Sequence, residues 1–283
     1  MTEQPAFCGT PLDSPVTKVG LPLLTVQPEV AGQLPGTACL VAPWFAMTAR
    51  HVIEDFAPAQ PGAEHLICTQ VVTNQGKTVL PLFVHGVYYS QPHDIAFLHL
   101  VPAGPMPHDH VWECPKLDLL PPRAGSTIAA FGYPKSRMQE TVANHWEVRT
   151  DATTATGTVL EVHHEAVDRS FHPFPCFRTN ARFDPGMSGG PVFNEEGHVC
   201  GIVCSNMPPE EEDGAHVSYV STLWPSLGTM VDVPWEGRYP SGASYPVYEM
   251  AKARIIDALN LDAVSVVVRG DGTQTVRCRR YDR

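Results

Sequence analysis

The sequence predicts an all-β fold, and three observations carry that reading. Short apolar runs at 38–47, 79–88, 95–101, 127–132, 157–162, 191–193 and 199–204 are separated by Gly, Pro, Asn and Asp, the pattern of many short strands. The 283 residues include 28 Pro and 22 Gly, which favours many turns. Hydrophobic residues make up 43% and charged residues 17%, so the chain can bury one large core or two smaller ones and does not belong to the disordered class.

The elements follow in chain order. The N-terminal stretch MTEQPAFCGTPLDSP has neither the basic start nor the apolar run of a secretory signal. No 18-residue apolar stretch follows it, so no membrane span is expected and the expected location is the cytoplasm. Eight cysteines, at 8, 39, 68, 114, 176, 200, 204 and 278, are then expected as free, buried thiols. Residues 37–56, TACLVAPWFAMTARHVIEDF, are apolar from Ala38 to Met47 with a turn at Pro43, and His51 stands just beyond. In QPHDIAFLHLV, residues 91–101, Asp94 heads the apolar run Ile95 to Leu98, which reads as a buried strand; alone, it reads as a turn residue after Pro92. Residues 102–120, rich in Pro and His, read as a connection between two halves.

DPGMSGGPVF, residues 184–193, surrounds Ser188 with Gly186, Gly189 and Gly190. A tight turn entering a strand explains the glycines but not the serine. At average composition, Gly-x-Ser-Gly-Gly-Pro arises at about one start position in a million. A nucleophilic serine needs a base within hydrogen-bond reach, a third group that orients the base, and backbone N–H donors where the oxyanion forms. His51, Asp94 and Ser188 occur in that chain order, separated by 94 − 51 = 43 and 188 − 94 = 94 residues, and this is the order of the chymotrypsin-type triad.

On MTARHV, HDIAFL and GMSGGP the sequence resembles the trypsin-like (chymotrypsin-fold) serine peptidases over about residues 20–230. TNARFDPGMSGGPVFNEEGHVCGIV is most similar to the bacterial HtrA-type branch. The resemblance implies two packed antiparallel six-stranded β-barrels, the first over about 17–105 and the second over about 120–230, within a peptidase domain of residues 1–230. It also implies the roles: Ser188 as nucleophile, His51 as general base and acid, Asp94 as the orienting carboxylate, and the N–H groups of Gly186 and Ser188 as the oxyanion hole. The implied substrate is a polypeptide, with Cys204, Ser205 and Asn206 as the strand that pairs with it, and Arg182, His216 and Val217 near the primary specificity pocket. Arg182 with His216 favours an acidic residue before the cut if the guanidinium meets the substrate and not solvent, whereas the acids of MPPEEEDG, residues 207–214, pull the other way unless they form only a solvated loop.

Met187 stands where the secreted enzymes carry the aspartate that pairs with a newly cut N-terminus, so cleavage at a new N-terminus is not expected to activate the chain. The resemblance calls for no cofactor, and the histidine pairs in HH at 163–164 and HDH at 108–110 lack a third metal ligand at a sensible spacing.

Residues 231–283 form a C-terminal extension, too short for the PDZ domain that often follows HtrA-type proteases. Within it, 245–261 reads as an amphipathic helix with Val247, Ala251, Ile255, Ala258 and Leu259 on one face. AVSVVVRGDGTQTVRCR then reads as a hairpin around Gly-Asp-Gly. Net charge −11 and a pI near 5.6 oppose a general affinity for nucleic acid or anionic membrane.

An intracellular protease without an inhibitory segment is expected to be held low until a protein partner, a ligand or an oligomer orders its cleft, as in a bacterial stress or phage-defence system. Full activity of the purified monomer on unfolded protein would contradict that expectation. Two other function classes remain: a catalytically silent binding module on the same fold, opposed by the three intact residues, and an esterase or acyltransferase, opposed by a histidine that comes first in the chain.

Overall fold

The computed structural model describes residues 6–11, 13–27, 30–55, 64–73, 76–89, 91–106, 110–134, 136–142, 145–167, 172–207, 216–232, 243–268 and 274–279. Strand β1 (Ala6–Gly9) lies apart from the first barrel. That barrel is built from β2 (Gly20–Gln27), β3 (Val30–Ala42), β4 (Phe45–Thr48), β5 (Glu64–Thr73), β6 (Gly76–Tyr89) and β7 (Ala96–Pro102), closed in the order β2-β3-β4-β7-β6-β5 with antiparallel pairing throughout. The apolar run 38–47 is divided as its proline suggested: the chain turns at Pro43–Trp44, with Trp44 at φ 64°, and returns as β4. Phe45 and Phe97, both fully buried, stack with centroids 5.4 Å apart and join β4 to β7 through the core.

The second barrel uses β8 (Leu117–Asp118) only at its edge. Its strands are β9 (Thr127–Gly132), followed by the separate hairpin β10 (Arg137–Val142) and β11 (His145–Arg149), then β12 (Thr153–His163), β13 (Cys176–Thr179), β14 (Pro191–Phe193), β15 (Val199–Met207) and β16 (Val217–Thr222). The pairing path β14-β9-β12-β13-β16-β15 returns on itself because β14 pairs with both β9 and β15. Six strands thus enclose the cluster of Ile128, Ala155, Phe177, Phe183, Met187, Val192 and Val220. This is the chymotrypsin-like double barrel that the resemblance implied. Residues 103–106 and 110–116 cross between the barrels without helix or strand. β1 is added to the outside of β12, with Phe7 opposite Ala155.

The C-terminal residues corrected one expectation. The amphipathic pattern over 245–261 becomes a six-residue helix, α2 (Val247–Lys252); α1 is the short helix Arg50–Asp55. β17 (Met230–Asp232) pairs with β18 (Ser244–Pro246), which occupies the expected first turn of the helix. After Lys252 the backbone turns through Arg254 at φ 56°, which ends helical propagation. That turn buries Ile256 and lets β19 (Ala258–Leu259) pair in parallel with β8. The expected hairpin is present as β20 (Val264–Val268) and β21 (Gln274–Cys278); its Arg-Gly-Asp-Gly tip lies outside the described residues. Val231, Val247, Met250, Ile256 and Val264 belong to the same buried cluster as the first-barrel core.

Among the described residues, seven cysteines are free, with Cys39, Cys176, Cys200 and Cys204 buried. No described helix is long and apolar enough to cross a membrane. No group of three described His, Cys, Asp or Glu residues converges on a metal position; His108 and Asp109 of the HDH run lie outside the described residues.

Candidate active site

Antiparallel pairing explains how two residues 43 apart in sequence come to touch. Thr48, the last residue of β4, sits opposite Ala96, the first of β7. Residues just after β4 and just before β7 therefore share one end of the barrel, and these are His51, on α1, and Asp94. The Asp94 carboxylate is 4% exposed and would be costly to bury alone. It accepts the His51 backbone N–H at Oδ1 (3.0 Å) and faces His51 Nδ1 with both oxygens, at 3.1 and 2.9 Å. With a carboxylate at this position, Nδ1 carries the proton, the tautomer in which Nε2 is the acceptor. The His51 side chain is 37% exposed, so the clamped ring stays partly open to solvent.

Ser188 arrives from the second barrel, in the loop between β13 and β14. Thr37, fully buried on β3, ties that loop to the first barrel. Its N–H donates to Ser188 O (2.8 Å) and its hydroxyl to Gly186 O (2.8 Å), while Thr48 donates to Thr37 O (2.7 Å) and Tyr133 N–H to Thr37 Oγ1 (3.1 Å). Gly189 lies at φ 84°, and a Cβ there would come within 2.0 Å of Thr48 Oγ1 and 2.2 Å of Thr37 O. The Ser188 loop can press against the end of β4, three residues before His51, only because no side chain is in the way.

Gly186 is also left-handed, at φ 97°, and a Cβ there would meet Tyr133 O at 2.7 Å. Inside the turn, the Met187, Gly189 and Gly190 N–H groups donate to Asp184 O, Val203 O and Met187 O. Among the described residues, the N–H groups of Gly186 and Ser188 have no such backbone partner. Met187 is fully buried in the second core, an apolar residue in an apolar setting.

The remaining sequence-derived residues divide. Cys204, at a bulge in β15, is buried, and its thiol turns inward. Burial pushes that thiol well above its usual range, and the Asp94 carboxylate to which it hydrogen-bonds adds to the rise. Ser205 and Asn206 pair with Tyr219 and Ser218 of β16, and Val217 pairs with Met207. His216 is partly buried, and its Nδ1 has no hydrogen-bond partner among the described residues. Sequence reasoning missed Thr37 in any such role and also His172, which is 3% exposed, bonds Ser205 Oγ through Nε2 (2.8 Å) and stacks on Tyr219 at 4.1 Å. Neither has a local signal, because each acts across barrels or strands.

The family model of the trypsin-like peptidase domain matches residues 36–202, a span that contains His51, Asp94 and Ser188. The chain belongs to the trypsin-like peptidase family. Serine-peptidase chemistry is therefore the general activity this fold supports. No curated protein matches the chain. Among solved structures it is similar to the Rv3671c protease of M. tuberculosis in its inactive form (18% identity, 76% of this chain and 91% of that one, TM-score 0.44). It is also similar to the MamO protease domain of Magnetospirillum magneticum (18%, 73% and 93%, 0.43) and to a serine endoprotease of Yersinia pestis (13%, 73% and 59%, 0.45).

Within the peptidase domain, Arg182 is paired inside its own loop. Its Nε and Nη2 donate to Asp184 Oδ1 and Oδ2 (2.7 and 2.9 Å), and its guanidinium carbon stands 4.7 Å from the centroid of the Phe7 ring. The charge assigned to an acidic substrate residue is already paired within the protein. The acidic run after Met207 lies outside the described residues.

Proposed function

We propose that the protein is a serine endopeptidase working through an acyl-enzyme. Ser188 Oγ attacks the scissile carbonyl while His51 Nε2 takes its proton; the oxyanion is received by the N–H groups of Gly186 and Ser188, and His51 returns the proton to the leaving amine. Water then attacks the acyl-serine with His51 again as base, releasing the acid and restoring Ser188. Asp94 keeps the productive tautomer and stabilises the imidazolium. The observation that carries this reading is the contact of both Asp94 oxygens with Nδ1, which favours the tautomer in which Nε2 can accept a proton.

A polypeptide substrate fits the edge of β15. Beyond Val203 this strand pairs on one side only among the described residues, so Cys204 to Asn206 offer main-chain groups to an extended peptide. The test is hydrolysis of unfolded casein and of a simple ester by the protein and by Ser188→Ala. Peptide cleavage, slow in the isolated protein and lost in Ser188→Ala, is expected. Ester hydrolysis alone would reassign the triad to an esterase, and peptide cleavage that persisted in Ser188→Ala would overturn the proposal.

A further inference from the structure

The N-terminal strand pairs with β12 off the path of the second barrel, yet it reaches the Ser188 turn through one side chain. β1 exposes Ala6, Cys8 and Gly9 and half-buries only Phe7. Its ring packs on the second-barrel cluster that includes Ala155, Phe183 and Met187, and the Arg182 guanidinium lies over it. Arg182 holds Asp184 in a two-pronged pair, and Asp184 O accepts the Met187 N–H (3.0 Å) that closes the turn carrying Gly186 and Ser188. An ion pair two residues apart on an exposed loop is ordinarily weak, because both side chains keep their freedom. Here the aromatic face under Arg182 restricts one partner and adds a cation–π contact. The strand is anchored independently: Thr10 N–H donates to Ala152 O (2.7 Å), the Thr10 and Thr154 hydroxyls lie 2.7 Å apart, and Ala6 N–H donates to Thr156 Oγ1 (3.2 Å). β12 also pairs with β9 and with β13, so β1 is a third partner of a strand already held in the barrel.

We infer that β1 is a positioning strut for the oxyanion turn, acting through Phe7, Arg182 and Asp184. Phe7 is a positioning residue in this scheme and touches neither substrate nor the reacting atoms. The inference rests on the serine-peptidase reading, because it assigns the strut to the geometry of the Gly186 and Ser188 N–H groups. Its consequence is that a partner or ligand displacing Phe7 would lower turnover without entering the cleft.

The test uses the full chain with Phe7→Ala, Phe7→Tyr, Arg182→Ala and the double variant Phe7→Ala/Arg182→Ala. A misplaced oxyanion donor weakens the transition state more than substrate binding. Phe7→Ala should therefore lower kcat about tenfold with KM within about twofold, less than the loss of a whole donor. Phe7→Tyr should restore it, and the double variant should fall no further than either single one, because both remove the same strut. Amide hydrogen exchange over residues 183–190 should quicken in Phe7→Ala, a readout independent of activity. Unchanged kcat and unchanged exchange in Phe7→Ala would overturn the strut, as would a loss confined to KM. Faster exchange in a protein that cleaves no peptide would retain the strut and overturn the serine-peptidase reading instead.

Discussion

At the scale of single residues, the end of the barrel that holds Asp94 and His51 also holds His93 and Arg50. Burial, aided by the Arg50 guanidinium, pushes His93 down from 6.5 to about 4, and its Nδ1 has no hydrogen-bond partner among the described residues. His93 is thus neutral in the folded chain at pH values where the unfolded chain has begun to protonate it. Between pH 6.5 and about 4 the unfolded state binds more protons, so stability falls as pH falls through that window. Denaturation midpoints measured between pH 7 and pH 4.5 should drop less steeply in His93→Gln than in the natural protein; parallel curves would contradict this. None of it was legible at His93, which looked like one of 13 histidines. His51, Asp94 and Ser188 stood out as candidates because each sits in a short pattern whose chemistry is local. At Arg182 the sequence left substrate and solvent both open as readings, and the pair with Asp184 two positions on was not among them, because a charge near a serine motif carries no local sign of its partner.

At the scale of elements, strands were readable where apolar runs met Gly and Pro, and the turn at Pro43–Trp44 and the final hairpin followed that rule. The helix over 245–261 did not, because periodicity cannot register a left-handed residue such as Arg254, or the preference of Ala258 and Leu259 for pairing with β8. The same C-terminal elements are integral to the first core. Met250 is fully buried on α2, in the cluster that includes Phe45 and Phe97. Met250→Ala should cost about 2–5 kcal/mol by urea denaturation, through lost burial and the cavity left behind. A change below about 0.5 kcal/mol would show that α2 contributes no core packing.

For the molecule as a whole, two closed strand systems meet at Thr37, whose four hydrogen bonds reach the Ser188 loop, the end of β4 and Tyr133. Tyr133 adds a second tie by donating from its hydroxyl to Gly20 O at 3.0 Å. The first barrel thus supplies a clamped imidazole, and the second supplies a serine turn with two N–H groups left free of backbone partners among the described residues. Whether these halves form one reactive centre is read directly by intact-mass spectrometry after treatment with a fluorophosphonate probe, comparing the natural protein with Ser188→Ala and His51→Ala. A single adduct on the natural protein, absent from both variants, is the predicted result. No adduct on the natural protein, or one that survives in Ser188→Ala, would contradict an assembled His51–Asp94–Ser188 centre.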